Sequence, residues 1–442
     1  MHFTFFSNLN DECLQKVVAK GRTNMTKTRS IPREKGLEKG PSVLREGYLY
    51  ILNRRKSFQS DVFETRLLGQ KAICMGGEEA TKLFYDPEKF IREGAMPKRV
   101  QKTLTGEKGV QSLDGDKHAN RKAMFMSLMS SEELDRLSAI LEKKWENALV
   151  KWEKSKEIVL YEEVQNILSR TACEWAGVPL PENQVKKRTN QLVKLFETPA
   201  TIGPAHWQGR HARNEADEWV EELIEKVRNG ELEPPENTAL FVFSWHKDLN
   251  GELLPLETAA VDVLNILRPI TAISIYCCFT GLAVHQYPEE AEKLRSGDKN
   301  KLQQFVQEVR RFYPFFPFQA AKVKEDFIWN GYEFKKGTLT LLDIYGSCHD
   351  PKVWDNPELF HPERFSDWRD TPFSFIPQGG GTYMGGHRCA GEYITLRMIH
   401  TCLDYLVNKM VYEVPEQDFS YSMVNMPSIP KSKMILANVK RK

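Results

Sequence analysis

The chain has 442 residues, of which 41% are hydrophobic and 28% are charged, an ordinary composition for a globular protein. Lysine and arginine (62) nearly balance aspartate and glutamate (60), and a net charge of +2 gives no argument for a nucleic-acid partner. The eight cysteines include no Cys-x-x-Cys pair, which argues against a zinc ribbon or a disulfide scaffold and fits a reducing, cytoplasmic compartment.

The organisation of the chain favours one large domain. No Gly/Ser-rich linker, low-complexity tract or fixed-period repeat divides it, and we therefore predict a single domain over residues 25–442. Because Met25 could itself be a start, residues 1–24 are a possible N-terminal extension. Their apolar run is too short to predict a signal peptide or a membrane anchor.

The predicted elements give a mainly helical α+β protein. Near the N-terminus, "EGYLYI" and "TRLLGQKAICMGG" alternate enough to predict strands that end in turns. From about Asp116 to Ala320 the apolar spacing of three and four predicts mostly helices, one of them beginning near Ser130. Asn330-Gly331 predicts a hairpin, followed by a third strand. Long loops rich in Pro and Gly occupy much of the last hundred residues.

One predicted helix, "LETAAVDVLNILRPITAISIYCCFTGLAVHQYP", carries Arg268 and Pro269 side by side. A buried arginine is costly without a partner, and proline removes a backbone hydrogen bond and kinks a helix. Asp262, Asn265 and Arg268 argue against a membrane-spanning segment. The pair therefore needs a functional explanation.

A second unusual stretch is "FSFIPQGGGTYMGGHRCAGEYITLRMIHTCLDYLV". Five glycines precede Cys389, and a helical pattern begins at about Gly391. A thiolate at the start of a helix is stabilised by free backbone N–H groups. The glycines would let the backbone lie flat against a large planar group. Alone, the stretch could also be a glycine-rich turn with an inert buried cysteine.

Two further segments identify a family. "FVQEVRRFYPFFP" places Glu308 and Arg311 three apart on one helical face, and "HPERF" supplies Arg364, 25 residues before Cys389. In this order and spacing the segments resemble the haem-thiolate cytochromes P-450. The resemblance implies that family's helical haem domain with small β-sheets. It also implies haem b (iron protoporphyrin IX) with Cys389 as axial ligand, and a structural ion-pair network of Glu308, Arg311 and Arg364.

The chain departs from the usual family pattern at the oxygen-activating helix. "LRPITA" stands where an acid and a threonine relay protons, and no carboxylate adjoins Thr271. Arg268 could instead bind a substrate carboxylate through its two-pronged guanidinium. That carboxylate would act as general acid–base toward hydrogen peroxide, and Pro269 would open the helix to make room for it. The Arg-Pro pair, with "PQGGG" and "HRCAGE", resembles the bacterial fatty-acid peroxygenases.

This closer resemblance implies further roles. Arg92, His118 and His387 match positions that contact the haem propionates, His387 replacing the arginine usual in the family. Gln111 stands where decarboxylating members tend to have histidine and hydroxylating members tend to have glutamine. The glutamine therefore favours α- and β-hydroxylation of long-chain fatty acids. Phe315 is a candidate wall of the channel for the fatty-acid tail, although core packing is an equal interpretation.

Three alternatives stay open: an enzyme that mainly decarboxylates fatty acids to terminal alkenes, a reductase-dependent monooxygenase, and a non-catalytic protein that binds haem or fatty acid. The peroxygenase interpretation predicts no obligate redox partner. It also predicts no nucleic-acid partner and no membrane anchor.

Overall fold

The computed structural model describes residues 29–369 and 371–442, so the possible extension at residues 1–24 lies outside the described part. Most of that part is helical. The helices, numbered along the chain, are α1 (Gly40–Glu46), α2 (Tyr50–Phe58), α3 (Glu78–Phe84), α4 (Lys98–Leu104), α5 (Gly115–Met126), α6 (Ser131–Trp152), α7 (Leu160–Trp175), α8 (Val185–Glu197), α9 (Pro204–Arg228), α10 (Ala239–Trp245), α11 (Leu256–Ala272), α12 (Ser274–Gln286), α13 (Pro288–Lys293), α14 (Lys299–Phe312), α15 (Ile344–Cys348) and α16 (Glu392–Asp404).

The described strands form three small sheets. They are β1 (Val62–Leu67), β2 (Gln70–Met75), β3 (Phe90–Ile91), β4 (Glu157–Val159), β5 (Phe318–Val323), β6 (Phe327–Trp329), β7 (Tyr332–Phe334), β8 (Leu339–Asp343), β9 (Met410–Glu413) and β10 (Ile435–Arg441). The five-stranded sheet has the order β1-β2-β8-β5-β3, the three-stranded sheet β4-β10-β9 and the two-stranded sheet β6-β7. The mainly helical α+β prediction is confirmed.

The predicted hairpin is confirmed, and its turn has the expected backbone. Asn330 and Gly331 have φ angles of 51° and 81°, which is the left-handed geometry of a type I′ turn between β6 and β7. The third strand, β8, is also present. It does not extend the hairpin, however, but pairs parallel with β2 and antiparallel with β5.

The strand prediction for "EGYLYI" is wrong. Residues 47–49 form a 3-10 turn that leads directly into α2. Tyr48, Ile51, Leu52 and Arg55 are buried, and their spacing of three and four is that of a helix. Six residues are too few to separate this period from the alternation of a strand.

Helix α6 begins where the sequence predicts. Ser130 lies at its N-cap, and its side-chain oxygen accepts a hydrogen bond from the Glu133 N–H at 3.2 Å. Such a cap stabilises a helix by about 1 kcal/mol. Glu132 and Glu133 in the first turn also suit the positive end of the helix dipole.

The long apolar segment lies in the core. By length and composition Leu256–Gln286 could cross a membrane, yet 94% of its apolar window is buried against the rest of the protein. It packs on α7, α9 and α14 and against α16, the helix that follows Cys389. Its apolar character is therefore accounted for by core packing.

The segment is two helices in line rather than one. Pro269 lies inside α11, which continues to Ala272, and α12 begins at Ser274. Proline has no N–H for the carbonyl of Asn265, four residues earlier. The proline therefore weakens the turn that precedes it, whereas the break between the two helices lies one turn after it, at Ile273.

Candidate active site

Cys389 lies in the loop before α16, and Gly391 is the residue that caps this helix. The Cys389 N–H donates to the Gln378 carbonyl at 3.2 Å, which fixes the cysteine backbone against the start of the glycine run. Among the cysteines in the described residues, Cys389 is partly exposed, whereas the others are buried. The cysteine residue that is not fully buried is therefore the one that the sequence singles out.

The groups around the Cys389 thiol shift its pKa in opposite directions. Burial raises its pKa, whereas the nearby Lys122 ammonium, the Gly391 N–H and Arg310 act to lower it. The net result is a raised pKa for the free thiol. A cationic metal would favour the thiolate, since a coordinating thiol is deprotonated.

The glycine run packs closely against the tyrosine that follows α3. Gly379 and Gly381 have φ angles of 91° and 83°. A Cβ at Gly379 would lie 2.9 Å from the Tyr85 hydroxyl, and one at Gly381 would lie 3.2 Å from the Tyr85 Cβ. These two glycines are required by backbone conformation and by Tyr85, a reason beyond the planar group expected from the sequence.

Three predicted cofactor-binding residues converge beside the cysteine loop. The rings of His118 and His387 stack with centroids 4.0 Å apart. His387 lies 3.6 Å from a carboxylate oxygen of Asp114, which also accepts hydrogen bonds from the Arg92 N–H at 2.8 and 2.9 Å. Lys122, one turn after His118, donates to the Arg388 carbonyl at 2.6 Å. The structure thus brings Arg92, His118 and His387 together with a lysine that sequence reasoning missed.

Two cations of this cluster, Arg92 and Lys122, are buried, and neither forms an ion pair with a carboxylate among the described residues. Burial lowers the pKa of Arg92, and burial together with His387 and Lys122 lowers that of His118 to about 3. Within the described residues Arg92 has no ion pair with a carboxylate, and its Nη2 donates to the Phe84 carbonyl at 3.2 Å. Such a site fits an anionic group that brings its own carboxylates, as haem does with its propionates.

Arg268 is buried in α11. Its Nη2 donates to the Asn265 side-chain oxygen at 3.0 Å, and its Nε has no hydrogen-bond partner. No carboxylate in the described part of the chain forms an ion pair with it. Burial, reinforced by the charge of Arg213, lowers the pKa of Arg268 to about 9, and the charge of Cys389 acts in the opposite direction. The guanidinium is therefore placed to bind an incoming anion.

Asp262 and Thr271 of α11 each have a partner within the protein. Asp262 pairs with Arg121 through a hydrogen bond of 2.7 Å from Nε, and burial raises its pKa to about 6 although Arg121 opposes this. The Thr271 hydroxyl donates to the carbonyl of Leu267 in its own helix at 2.9 Å. Neither the carboxylate of Asp262 nor the hydroxyl of Thr271 is therefore free to form the acid-and-threonine proton relay that is usual in the family.

Asn265 connects Arg268 with the segment that carries Gln111. Its side-chain nitrogen donates to the Thr105 carbonyl at 3.0 Å and lies 3.5 Å from the Gln111 side-chain oxygen. Arg268 and Gln111, two of the predicted catalytic residues, therefore contact the same asparagine, and Pro269 follows Arg268 in the same helix. The sequence contained a signal for Asn265, because it precedes Arg268 by three positions on the same helical face.

Phe315 contacts Tyr276 of α12. Its ring stacks on Tyr276 at 4.3 Å between centroids, and its carbonyl accepts from the Tyr48 hydroxyl at 3.1 Å. Phe315 is partly buried. These contacts fix the ring, and its role toward a fatty-acid tail stays a prediction.

The structure also joins Glu308, Arg311 and Arg364. Arg311 donates to both carboxylate oxygens of Glu308, at 2.7 and 2.8 Å, and both side chains are fully buried. Arg364 lies 3.2 Å from the same carboxylate. The remaining guanidinium hydrogens of Arg311 bind carbonyls of the loop that leads toward Cys389, including that of Pro357 at 2.9 Å.

Similarity to known proteins accords with this geometry. The family model described as cytochrome P450 matches residues 300–436. A solved structure, cytochrome P450EX alpha (CYP152N1) with myristic acid, is 51% identical to this chain, covers 94% of it and all of the other chain, and superposes with a TM-score of 0.91. The chain belongs to the cytochrome P450 superfamily, in its CYP152 family.

Other relatives agree with this P450 assignment. Cytochrome P450SP alpha (CYP152B1) in complex with (R)-ibuprofen is 40% identical, with coverages of 91% and 99% and a TM-score of 0.89. A variant of cytochrome P450 OleT in complex with arachidonic acid is 34% identical, with coverages of 94% and 99% and a TM-score of 0.90. A putative cytochrome P450 120 from Synechocystis sp. is 25% identical over 78% of this chain and 82% of its own length. The family resemblance and the predicted P450 fold are confirmed.

The buried Glu308–Arg311 pair gives a prediction about stability. In this P450, Glu308→Ala should lower the free energy of unfolding by about 3–5 kcal/mol, because Arg311 and Arg364 are left without their anion. Glu292→Ala is the matched control, since Glu292 pairs with Arg295 at the same spacing but both are more than half exposed. Denaturant unfolding of both variants measures the difference. Equal losses would contradict a structural role for the buried pair.

Proposed function

We propose that this P450 is a peroxygenase that uses hydrogen peroxide to hydroxylate long-chain fatty acids at the α or β carbon. The substrate carboxylate would bind Arg268 and act as the general acid–base of the reaction. Haem b would be the cofactor, held by Cys389 as metal ligand and by Arg92, His118 and His387 at the propionates.

The observation that carries this proposal is the state of Arg268. Arg268 is buried, and its pKa is affected by the charge of Cys389. Its Nε has no hydrogen-bond partner, and no carboxylate in the described residues pairs with it. A fatty-acid carboxylate would supply the missing anion through two parallel hydrogen bonds. The myristic acid and arachidonic acid bound to the two relatives support this substrate class.

Proton transfer would fall to the substrate, since α11 offers no free acid. Asp262 is occupied by Arg121, and Thr271 is bonded within its helix. A carboxylate on Arg268 could take a proton from hydrogen peroxide and return it. The haem-thiolate group, when bound, supplies an iron centre on which thiolate electron donation favours O–O cleavage.

The same anchor explains the expected position of oxidation. If Arg268 holds the carboxylate, the carbons within reach of the cofactor are the second and third of the chain, whatever the chain length. Pro269 and the helix break after Ala272 would leave space for the small oxidant. Phe315 would contact the tail.

The remaining predictions belong to the same proposal. The reaction needs no obligate redox partner, because peroxide supplies both the oxygen and the oxidising equivalents. Residues 25–442 act as one domain. The free state of the cysteines in the described residues fits a reducing, cytoplasmic compartment.

The test is one incubation of the haem-loaded protein with myristic acid and hydrogen peroxide, without a reductase. Mass spectrometry should detect 2- or 3-hydroxymyristic acid. Turnover only with an electron donor would favour a monooxygenase, and binding without turnover would favour a fatty-acid binding protein. Either result would overturn the peroxygenase proposal.

The alkene-forming alternative is tested at Gln111. Gln111→His should shift products from hydroxy acids toward the alkene one carbon shorter, because histidine can transfer a proton where an amide can only hydrogen-bond. We expect the alkene fraction to rise several-fold. Gln111→Met, which removes the hydrogen bond without adding a base, is the control. A wild-type protein that already gives mainly alkene would favour the decarboxylase.

A further inference from the structure

A second buried arginine lies near Arg268. Arg213 in α9 is 1% exposed, and its Nε donates to both carboxylate oxygens of Asp217, one turn later, at 2.8 and 2.9 Å. Its Nη1 is buried and has no hydrogen-bond partner. The side chain of Asp217 is 26% exposed, whereas that of Arg213 is 1% exposed. The positive member of the ion pair is therefore the more deeply buried one.

Close packing at Gly106 places Arg213 near α11, the helix that carries Arg268. A Cβ on Gly106 would lie 2.6 Å from Arg213 Nη2 and 2.7 Å from a methyl group of Val261. Gly106 has a φ of 78°, so both its space and its backbone require glycine. Val261 precedes Arg268 by about two helical turns and lies on the same face of α11, roughly 10 Å along the axis.

The same loop reaches Arg268 through hydrogen bonds. Thr105, the neighbour of Gly106, accepts at its carbonyl from Asn265, and Asn265 in turn accepts from Arg268. The loop at Thr105 and Gly106 therefore contacts Arg213 at Gly106 and is linked to Arg268 through Asn265 at Thr105. The two like charges also interact, because Arg213, after burial, contributes to lowering the pKa of Arg268.

We propose that Arg213 is a positioning residue for the substrate carboxylate, and that its charge, balanced by Asp217, adds to the field of Arg268 and strengthens binding of ionised fatty acids. The inference rests on the proposed role of Arg268. It assigns to Arg213 no contact with the substrate. Arg213 would control how strongly the protein prefers a ligand with a charged head group over one with an uncharged head group and the same chain length.

A purely structural role would be to support the Gly106 loop. Such a role would affect every ligand of the cavity alike, whereas a charge acts on an anion alone. Two ligands with the same fourteen-carbon chain, myristic acid and 1-tetradecanol, therefore separate the two roles.

The experiment measures dissociation constants by calorimetry on the haem-loaded protein. Arg213→Met should weaken myristic acid binding roughly fivefold, the size expected for the loss of a partly shielded charge in the protein interior. Binding of 1-tetradecanol should not change. In turnover, KM for myristic acid should rise while kcat stays within about twofold.

Two companion variants keep the test decisive if Arg213→Met folds poorly. Arg213→Lys retains the charge and should bind myristic acid as the wild type does. Asp217→Asn removes the balancing anion and should tighten myristic acid binding about two- to fivefold, again without effect on 1-tetradecanol. Equal changes for both ligands, or no tightening in Asp217→Asn, would overturn the proposal.

Failure of this inference is distinguishable from failure of the proposed function. Arg268→Ala should weaken myristic acid binding by itself. If it does so while Arg213→Met and Asp217→Asn leave the acid unaffected, Arg213 has no positioning role and the anchor stands. If Arg268→Ala leaves acid binding intact, the anchor itself is wrong.

Discussion

Replacement of Arg268 by alanine should abolish fatty-acid oxidation while haem stays bound. The carboxylate would then enter a buried site without its cation, a loss of about 3–5 kcal/mol for a broken buried pair. That corresponds to a fall in kcat/KM of at least roughly a hundredfold. Product formation from myristic acid and hydrogen peroxide measures activity, and the absorption spectrum measures haem content.

Two controls make the Arg268 result specific. Arg268→Lys keeps a positive charge but not the two-pronged geometry, and it should retain part of the binding and little of the turnover. Added guanidinium ions should partly restore activity to Arg268→Ala, because they can occupy the space of the missing side chain. Unchanged turnover in Arg268→Ala would exclude the carboxylate-anchor mechanism.

The second large effect is expected at Cys389. Cys389→Ala should eliminate the thiolate-type haem spectrum, including the red-shifted band of the reduced carbon monoxide complex, and with it all peroxide-driven oxidation. No other described cysteine is partly exposed. The substituted protein should retain its fold, since α16 is capped at Gly391 and packs on α6, α12 and α14.

The matched control for Cys389 is Cys348. This cysteine is fully buried at the end of α15, and burial raises its pKa to about 12. Cys348→Ala should leave the thiolate spectrum unchanged at a modest cost in stability. Survival of the thiolate spectrum in Cys389→Ala would reassign the metal ligand.

The parts of the site that the sequence predicts are those encoded by short spacing. Glu308 and Arg311 are three apart in one helix, Arg268 and Pro269 are adjacent, and Cys389 precedes its own helix. Periodicity and turn chemistry over such distances follow from local backbone geometry. The helices and the Asn330-Gly331 hairpin were predictable for the same reason.

The parts that the sequence did not predict depend on contacts between distant segments. Asn265 meets Thr105 across 160 positions, and His118 stacks on His387 across 269. The pairing of Arg213 with Asp217 is local, but its place behind the Gly106 loop is not. No spacing rule gives such neighbours, because they follow from how α5, α9 and α11 pack. The error at residues 46–51 is of another kind, since the window was too short to fix a period.

The two in-line helices α11 and α12 have a consequence for the synthesis of the protein. Helix α12 packs against α14 and α16, and α16 begins more than a hundred residues after α12 ends at Gln286. A ribosome adding about 5–20 residues per second needs roughly 5–20 s to reach it. During that interval α12 lacks the native contacts that α16 later supplies. Shielding by chaperones over these seconds should therefore determine how much of the newly made chain folds and acquires cofactor.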